Sequence, residues 1–258
     1  MRKGNVAGKD EISPQGGYRT PGEAEVPGRI ASTFEQNRDS TASKLENFPK
    51  YIRRQKVTRY LALYELFKLS LPVKGSIIEC GVNQGFGLMS WANFSAVLEP
   101  NNLTRRIYGF DTFTGFPHGV TKHRSKRYTP KKGDLAADSY DELTKLIEIY
   151  DDNRFLGHVD KVHLIKGDVR KTVPEFIEEN GHLIVSLLFL DLDLYEPTKV
   201  CLQNFLPRMP RGAVLAFDEL DNPIWPGETM ALMEAVGVSN LELKRFEFDP
   251  YISYALVC

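Results

Sequence analysis

Cysteine is scarce: Cys80, Cys201 and Cys258 are the three in 258 residues. Odd in number, far apart and without a Cys-x-x-Cys, they encode neither a disulfide framework nor a zinc site, and a reducing cytoplasm is the expected location. Long apolar runs are lacking as well. The strongest, residues 183–190, is too short to span a bilayer. Met1-Arg2-Lys3 is basic, but the residues after it form no apolar stretch, so no secretory leader is expected. Neither sign of charge is in excess, since 33 basic residues stand against 34 acidic ones for a formal charge of −1. That balance gives no support to a nucleic-acid or membrane partner.

What is present fits a folded core. At 42% hydrophobic and 26% charged, the chain suits one globular domain, alone or with an extension, able to bury roughly 70–75% of its unfolded surface. Residues 1–30 hold six glycines and three prolines and show no apolar periodicity. Residues 1–47 are therefore expected to form a flexible arm or lid, with a merely floppy terminus as the equal alternative. The domain proper is expected over residues 48–258. Val57, Tyr60, Leu61, Tyr64 and Phe67 recur at helical spacing until Pro72 and Gly75 end the run.

Beyond Gly75, strand-like runs (76–80, 106–110, 162–166, 184–190, 213–217) alternate with helical stretches (88–98, 140–150, 173–179, 198–205, 228–235). Ser139 to Glu142 reads as a capping box, and Pro174 suits the first turn of a helix. Strands separated by helices require crossovers, which gives an α/β fold with a doubly wound, mostly parallel sheet. Residues 241–248 and 251–257, joined by Asp249-Pro250, add an antiparallel hairpin and bring the expected strands to seven.

In such sheets ligands bind beyond the carboxyl ends of the strands. The first such loop is Glu79-Cys-Gly81-Val-Asn-Gln-Gly85-Phe-Gly87, whose glycines allow a tight turn and close backbone approach, though the spacing is not Gly-x-Gly-x-x-Gly. The second opens with Asp111-Thr112. Asp111 is placed to accept ribose hydroxyls or to serve as a turn aspartate, and both roles are open. Asp168 ends the third strand in the same manner. Asp191-Leu-Asp193 follows the fourth strand, and Asp218-Glu219 the fifth. If those strands are neighbours, Asp191, Asp218 and Glu219 converge, and clustered hard oxygens suit Mg²⁺ or another divalent cation. The five histidines show no ligand spacing; His118 and His123 alone fall in a substrate-facing loop. Residues 112–133 contain no acid but include Lys122, Arg124, Lys126, Arg127, Lys131 and Lys132; without these six charges a total of −1 becomes −7. Such a loop is either a solvated surface or a cradle for a phosphate or diphosphate.

Glu79 to Gly85, Asp111-Thr-Phe-Thr-Gly-Phe-Pro117, Leu190-Asp-Leu-Asp-Leu-Tyr-Glu-Pro-Thr198 and Phe217-Asp-Glu219 with Trp225-Pro-Gly227 resemble the macrocin O-methyltransferase family. The resemblance runs from about Phe48 to the last residue. It implies a class I, Rossmann-like S-adenosylmethionine enzyme that methylates sugar hydroxyls in antibiotic biosynthesis. By it, Glu79, Gly81, Gly85 and Gly87 belong to the cofactor turn, Asp111 and Thr112 to the ribose, and Asp168 to the adenine. Asp191, Asp218 and Glu219 match the magnesium ligands, although Glu219 stands where a second aspartate is usual and Cys80 where an aromatic residue is usual. Homo-oligomers are expected on the same ground.

A cation chelated by two neighbouring sugar hydroxyls would lower the pKa of the attacking one, with Asp191 taking its proton. His118, His123, Arg124, Arg127 and Tyr195 are the candidate substrate contacts, and a TDP-sugar is the expected acceptor, with a sugar already attached to a macrolide as the alternative. Asp191-Leu-Asp193 also fits the metal site of a nucleotide-sugar glycosyltransferase, and a non-catalytic scaffold is the remaining rival.

Overall fold

Apolar residues in the central strands face both ways, and this decides the layering. The computed structural model describes residues 20–119, 122–123 and 125–258, and the chain divides into two units, Met1–Arg59 and Tyr60–Cys258.

The first unit contains more regular structure than its glycines and prolines suggest. Helix α1 (Pro21–Gln36) opens with a capping box in which the Thr20 hydroxyl accepts the Glu23 N–H and the Glu23 carboxylate accepts the Thr20 N–H. Pro21 is tolerated there because a first-turn N–H has no intrahelical partner. The sequence reading drew no element over these residues. A short α2 (Thr41–Glu46) follows, capped by Ser40, and the Phe34 and Tyr51 rings meet edge to face at 4.9 Å.

Helix α3 (Arg54–Ser70) forms where the spacing places it. Its buried stripe, however, is Ala62, Leu63, Leu66, Phe67 and Ser70, while Val57, Tyr60 and Leu61 are exposed. Then come β1 (Ser76–Cys80), α4 (Phe86–Leu98), β2 (Ile107–Asp111), α5 (Tyr140–Asp152), β3 (Val162–Lys166), α6 (Val169–Glu179), β4 (Val185–Leu190), α7 (Tyr195–Phe205), β5 (Val214–Phe217), α8 (Gly227–Ala235), β6 (Lys244–Arg245) and β7 (Ser253–Leu256). The sheet order is β3-β2-β1-β4-β5-β7-β6. Strands β1 to β5 are mutually parallel, and β7 is antiparallel to both β5 and β6. The seven strands and terminal hairpin are as expected, though β6 has only two residues.

Ile77, Leu187, Phe189, Val214 and Ala216 enter one core with Leu63, Phe67, Leu88 and Trp91. Their neighbours Ile78, Leu188, Leu190, Leu215 and Phe217 enter the other, with Val173, Leu202, Phe205 and Leu232. Period-2 alternation with both faces covered is why β4 is apolar nearly throughout.

Two helix starts differ from the sequence reading. Ser139 precedes α5 but makes no cap; its hydroxyl donates instead to the Asn83 carbonyl. Helix α6 begins at Val169, capped by Asp168, so Pro174 lies within the helix rather than in its first turn.

Candidate active site

Four of the five parallel strands, β1, β3, β4 and β5, are prolonged past the last residue by one more inter-strand bond. Gly81 N–H donates to Phe110 O at 2.9 Å, Gly167 to Asp111 O at 2.8 Å, Asp191 to Cys80 O at 2.9 Å and Asp218 to Leu190 O at 2.9 Å. The loops therefore leave the sheet side by side, and residues of those after β1, β2, β3 and β4 line one cavity, which Asp218 and Glu219 do not reach. It holds about 740 Å³ of space, open mouth included, with Gly81, Asp111, Thr112, His118, Asp168 and Asp191 among its walls.

Glycine is required where β1 ends. Gly81 has φ +98°, and a Cβ there would lie 1.8 Å from the Asp191 carbonyl oxygen. A Cβ at Gly87 would lie 2.1 Å from Oε1 of Glu79. Glu79 itself is buried and accepts the Trp91 indole N–H at 3.0 Å. It thus supports the turn from beneath, between β1 and α4, and Gly85 opens α4 in a left-handed conformation.

The Asp111 carboxylate is held by two backbone donors, Asn83 N–H at 2.8 Å and Phe113 N–H at 2.7 Å. Turn aspartate and cavity wall are the same residue. Thr112 Oγ1 donates to Gly115 O at 2.6 Å and closes the loop behind it. Asp168 also reaches the cavity, but its carboxylate takes the Arg170 backbone N–H at 3.0 Å and the Arg170 guanidinium. Burial pushes this carboxyl up, and the Arg170 contacts outweigh that and hold it below its ordinary value.

The acids beyond β4 and β5 share one field. Strands β4 and β5 pair with Leu190 opposite Phe217, so Asp191 and Asp218 are adjacent across the ladder. Burial, and then Asp193, Asp218, Asp191 and Glu228, push the Glu219 carboxyl up to about 10. Asn222 Nδ2 donates to it at 2.7 Å. Among the described residues no three His, Cys, Asp or Glu side chains are drawn into a metal-holding group. The donor chemistry nevertheless fits a divalent cation, because these are hard oxygens whose mutual repulsion a double positive charge would relieve.

Glu228, in the first turn of α8, is an acid the sequence reading missed. It is buried; Oε1 accepts Leu192 N–H at 2.8 Å and Asp193 N–H at 3.2 Å, and Oε2 accepts Glu219 N–H at 3.4 Å. Burial, then Asp191 and Asp218, push it up to about 8. Its position after Trp225-Pro-Gly227 was the available signal.

The loop after β2 folds over this end. Ser125 Oγ donates to Pro223 O at 2.8 Å, and Trp225 packs edge to face on Phe116 and Tyr128 at centroid distances of 6.0 and 5.2 Å. His123 and the Lys122 ammonium both lie against the Tyr195 ring, at 4.7 and 5.3 Å. Tyr195 is buried and its hydroxyl donates to Glu234; with His123, Asp193 and Trp225 it lines a smaller pocket. Lys126 and Arg127 are exposed; Arg124 lies outside the described residues.

A methyltransferase-domain family matches residues 78–220. Among solved structures, CalS11, a calicheamicin methyltransferase, shares 34% identity at a TM-score of 0.87, with 99% of each chain covered. The apo structure of the same enzyme, named as TDP-rhamnose 3'-O-methyltransferase, gives 0.80 with 92% of this chain and 95% of the other covered. The O-methyltransferase NovP, at 18% identity and a TM-score of 0.60 over 78% of this chain and 80% of its own, shares the fold. No curated protein matches by sequence. No helix among the described residues is long and apolar enough to cross a membrane. The glycosyltransferase and scaffold readings fall away, and the chain belongs to the methyltransferase-domain family as an S-adenosylmethionine-dependent O-methyltransferase.

Proposed function

We propose that this enzyme methylates a hydroxyl of a TDP-linked deoxysugar, in a reaction that depends on a divalent cation. The observation that carries the reading is the 34% identity, over nearly the whole chain, to an enzyme named as a TDP-rhamnose 3'-O-methyltransferase. The charge arrangement agrees with it: carboxylates gather beyond β4 and β5, and the loop with Lys122, Lys126 and Arg127 is tied to the β5–α8 loop through Ser125 and Pro223. An acceptor carrying a diphosphate would find cations beside the cavity.

In this reading Gly81 and Asp111 seat the cofactor, Asp111 taking the ribose hydroxyls, with Asp168 at the nucleobase end. Asp191, Asp218 and Glu219 would hold the cation, which supplies Lewis acidity to the sugar hydroxyl. Asp191 takes the proton of the attacking hydroxyl as its oxygen bonds to the methyl carbon and the carbon–sulfur bond breaks, leaving S-adenosylhomocysteine. Trp225, Phe116 and Tyr128 screen that end from water. Arg124, Arg127 and His123 are assigned to the nucleotide part of the acceptor. Homo-oligomeric assembly and a cytoplasmic location complete the proposal, the latter resting on three unpaired cysteines.

The test is calorimetric binding of S-adenosylmethionine, followed by turnover of TDP-sugars with and without EDTA. Cofactor binding without metal and turnover only with metal is expected. Undiminished turnover in EDTA would remove the cation from the mechanism, and turnover of glycosylated macrolides alone would remove the TDP-sugar. Charge reversal at Arg124 and Arg127 is expected to raise KM for the TDP-sugar about tenfold, one lost charge-assisted contact being worth that much; an unchanged KM defeats the diphosphate assignment.

A further inference from the structure

One polar atom on the cavity wall is left unanswered by the protein. Nε2 of His118 is buried and has no hydrogen-bond partner among the described residues. The other ring nitrogen, Nδ1, lies 2.8 Å from the Gly119 carbonyl oxygen. A carbonyl only accepts, so the neutral ring carries its proton on Nδ1 and presents the Nε2 lone pair. A buried acceptor without a donor is a free-energy cost that a ligand N–H or O–H removes.

Position decides which donor. His118 and Asp168 line the same cavity. Asp168 follows the end of β3, at the opposite side of the cavity from Asp191 beyond β4, in a sheet ordered β3-β2-β1-β4-β5. With the ribose at Asp111 on β2, the methyl end of the cofactor runs toward β4 and the base toward β3. The donor available at the β3 end is the exocyclic amine of adenine.

We propose that His118 Nε2 accepts a hydrogen bond from the exocyclic amine of the cofactor's adenine, and that this contact selects adenine over a base bearing a carbonyl there. The inference moves His118 from the sugar acceptor to the cofactor, and it rests on the reading of Asp111 as the ribose ligand.

Titrating S-adenosylhomocysteine and S-inosylhomocysteine, which carries a carbonyl in place of the amine, tests it. Wild type is expected to prefer the adenine ligand by about tenfold or more, since one face offers a donor and the other a second acceptor. His118→Phe is expected to lose about tenfold for S-adenosylhomocysteine and little for the inosyl ligand, collapsing the preference. His118→Gln, whose amide oxygen can stand near the Nε2 position, is expected to restore part of it. Equal losses for both ligands would show that the ring only fills space, and unchanged cofactor affinity with a reduced kcat would place it at the sugar; either overturns the proposal. Absence of any preference in wild type overturns it without recourse to variants. Failure of wild type to bind S-adenosylhomocysteine at all would refute the cofactor reading of the cavity itself, and this inference with it.

Discussion

Glu228 at the start of α8 accepts the backbone N–H of Leu192 at 2.8 Å, joining the helix to the loop that carries Asp191. The same carboxylate reaches Asp193 and Glu219, so one side chain fixes the backbone of both acidic loops. Removing it leaves buried donors unpaired. Glu228→Ala is expected to cost about 1–3 kcal/mol of stability and to reduce turnover more than tenfold through displacement of Asp191. Burial and the neighbouring acids favour the uncharged carboxyl, so Glu228→Gln should be the milder change in urea denaturation and in kcat. Equal effects of Ala and Gln would show that the hydrogen bonds contribute little.

Asp111 and Asp191 line the same cavity but should fail differently. Asp111→Asn keeps one of the two oxygens that accept the Asn83 and Phe113 N–H groups, turns an amide N–H on the other donor, and loses the charge proposed for the ribose. An increase of roughly tenfold in KM for S-adenosylmethionine, with kcat little changed, is expected. Asp191→Asn removes the proposed proton acceptor, and kcat is expected to drop by about 100-fold or more with S-adenosylhomocysteine affinity retained. Steady-state kinetics and calorimetry on the pair separate the roles, and matching profiles would contradict the assignment.

The sheet was legible because its signals are local. Nearly continuous apolar runs in β4 and β5, buried on both faces, and crossovers of helical period point to parallel strands, and parallel strands dictate where Asp111, Asp168 and Asp191 emerge. What was hidden depends on contacts distant in sequence. Glu228 acquires its meaning only when α8 packs at the ends of β4 and β5. The bond from the Tyr195 hydroxyl to Glu234 spans 39 residues of chain. Ser139 had a capping sequence, yet the Asn83 carbonyl competes successfully for its hydroxyl. The Thr20 to Glu23 capping box was written in the sequence but stands among glycines and prolines that mask it.

Lys161 supplies a pH test remote from the chemistry. It is buried, donates to Asn102 O at 2.9 Å, and burial above all lowers its pKa from 10.5 to about 8. Between those values the unfolded chain holds a proton that the folded protein has released, so this residue makes stability rise with pH across that window. Lys161→Met is expected to flatten the rise. Urea midpoints measured for both proteins at the two ends of the window decide the matter; parallel pH profiles would show that Lys161 is not the group responsible.

Gly81 is where fold and site constrain each other most directly. A Cβ there would stand 1.8 Å from the Asp191 carbonyl oxygen, and φ is +98°, so Gly81→Ala meets both a backbone clash and a disfavoured conformation. Relief requires the ends of β1 and β4 to separate. That would break the Asp191 N–H to Cys80 O bond and shift Asp191 away from Asp111. A loss of about 2 kcal/mol or more is expected, accompanied by weakened cofactor binding, because the turn and Asp191 move together. Denaturation midpoints and S-adenosylhomocysteine titration on the same preparation test the coupling: wild-type affinity in a destabilised Gly81→Ala protein would show that the β1–β4 crossing supports the sheet without positioning the site.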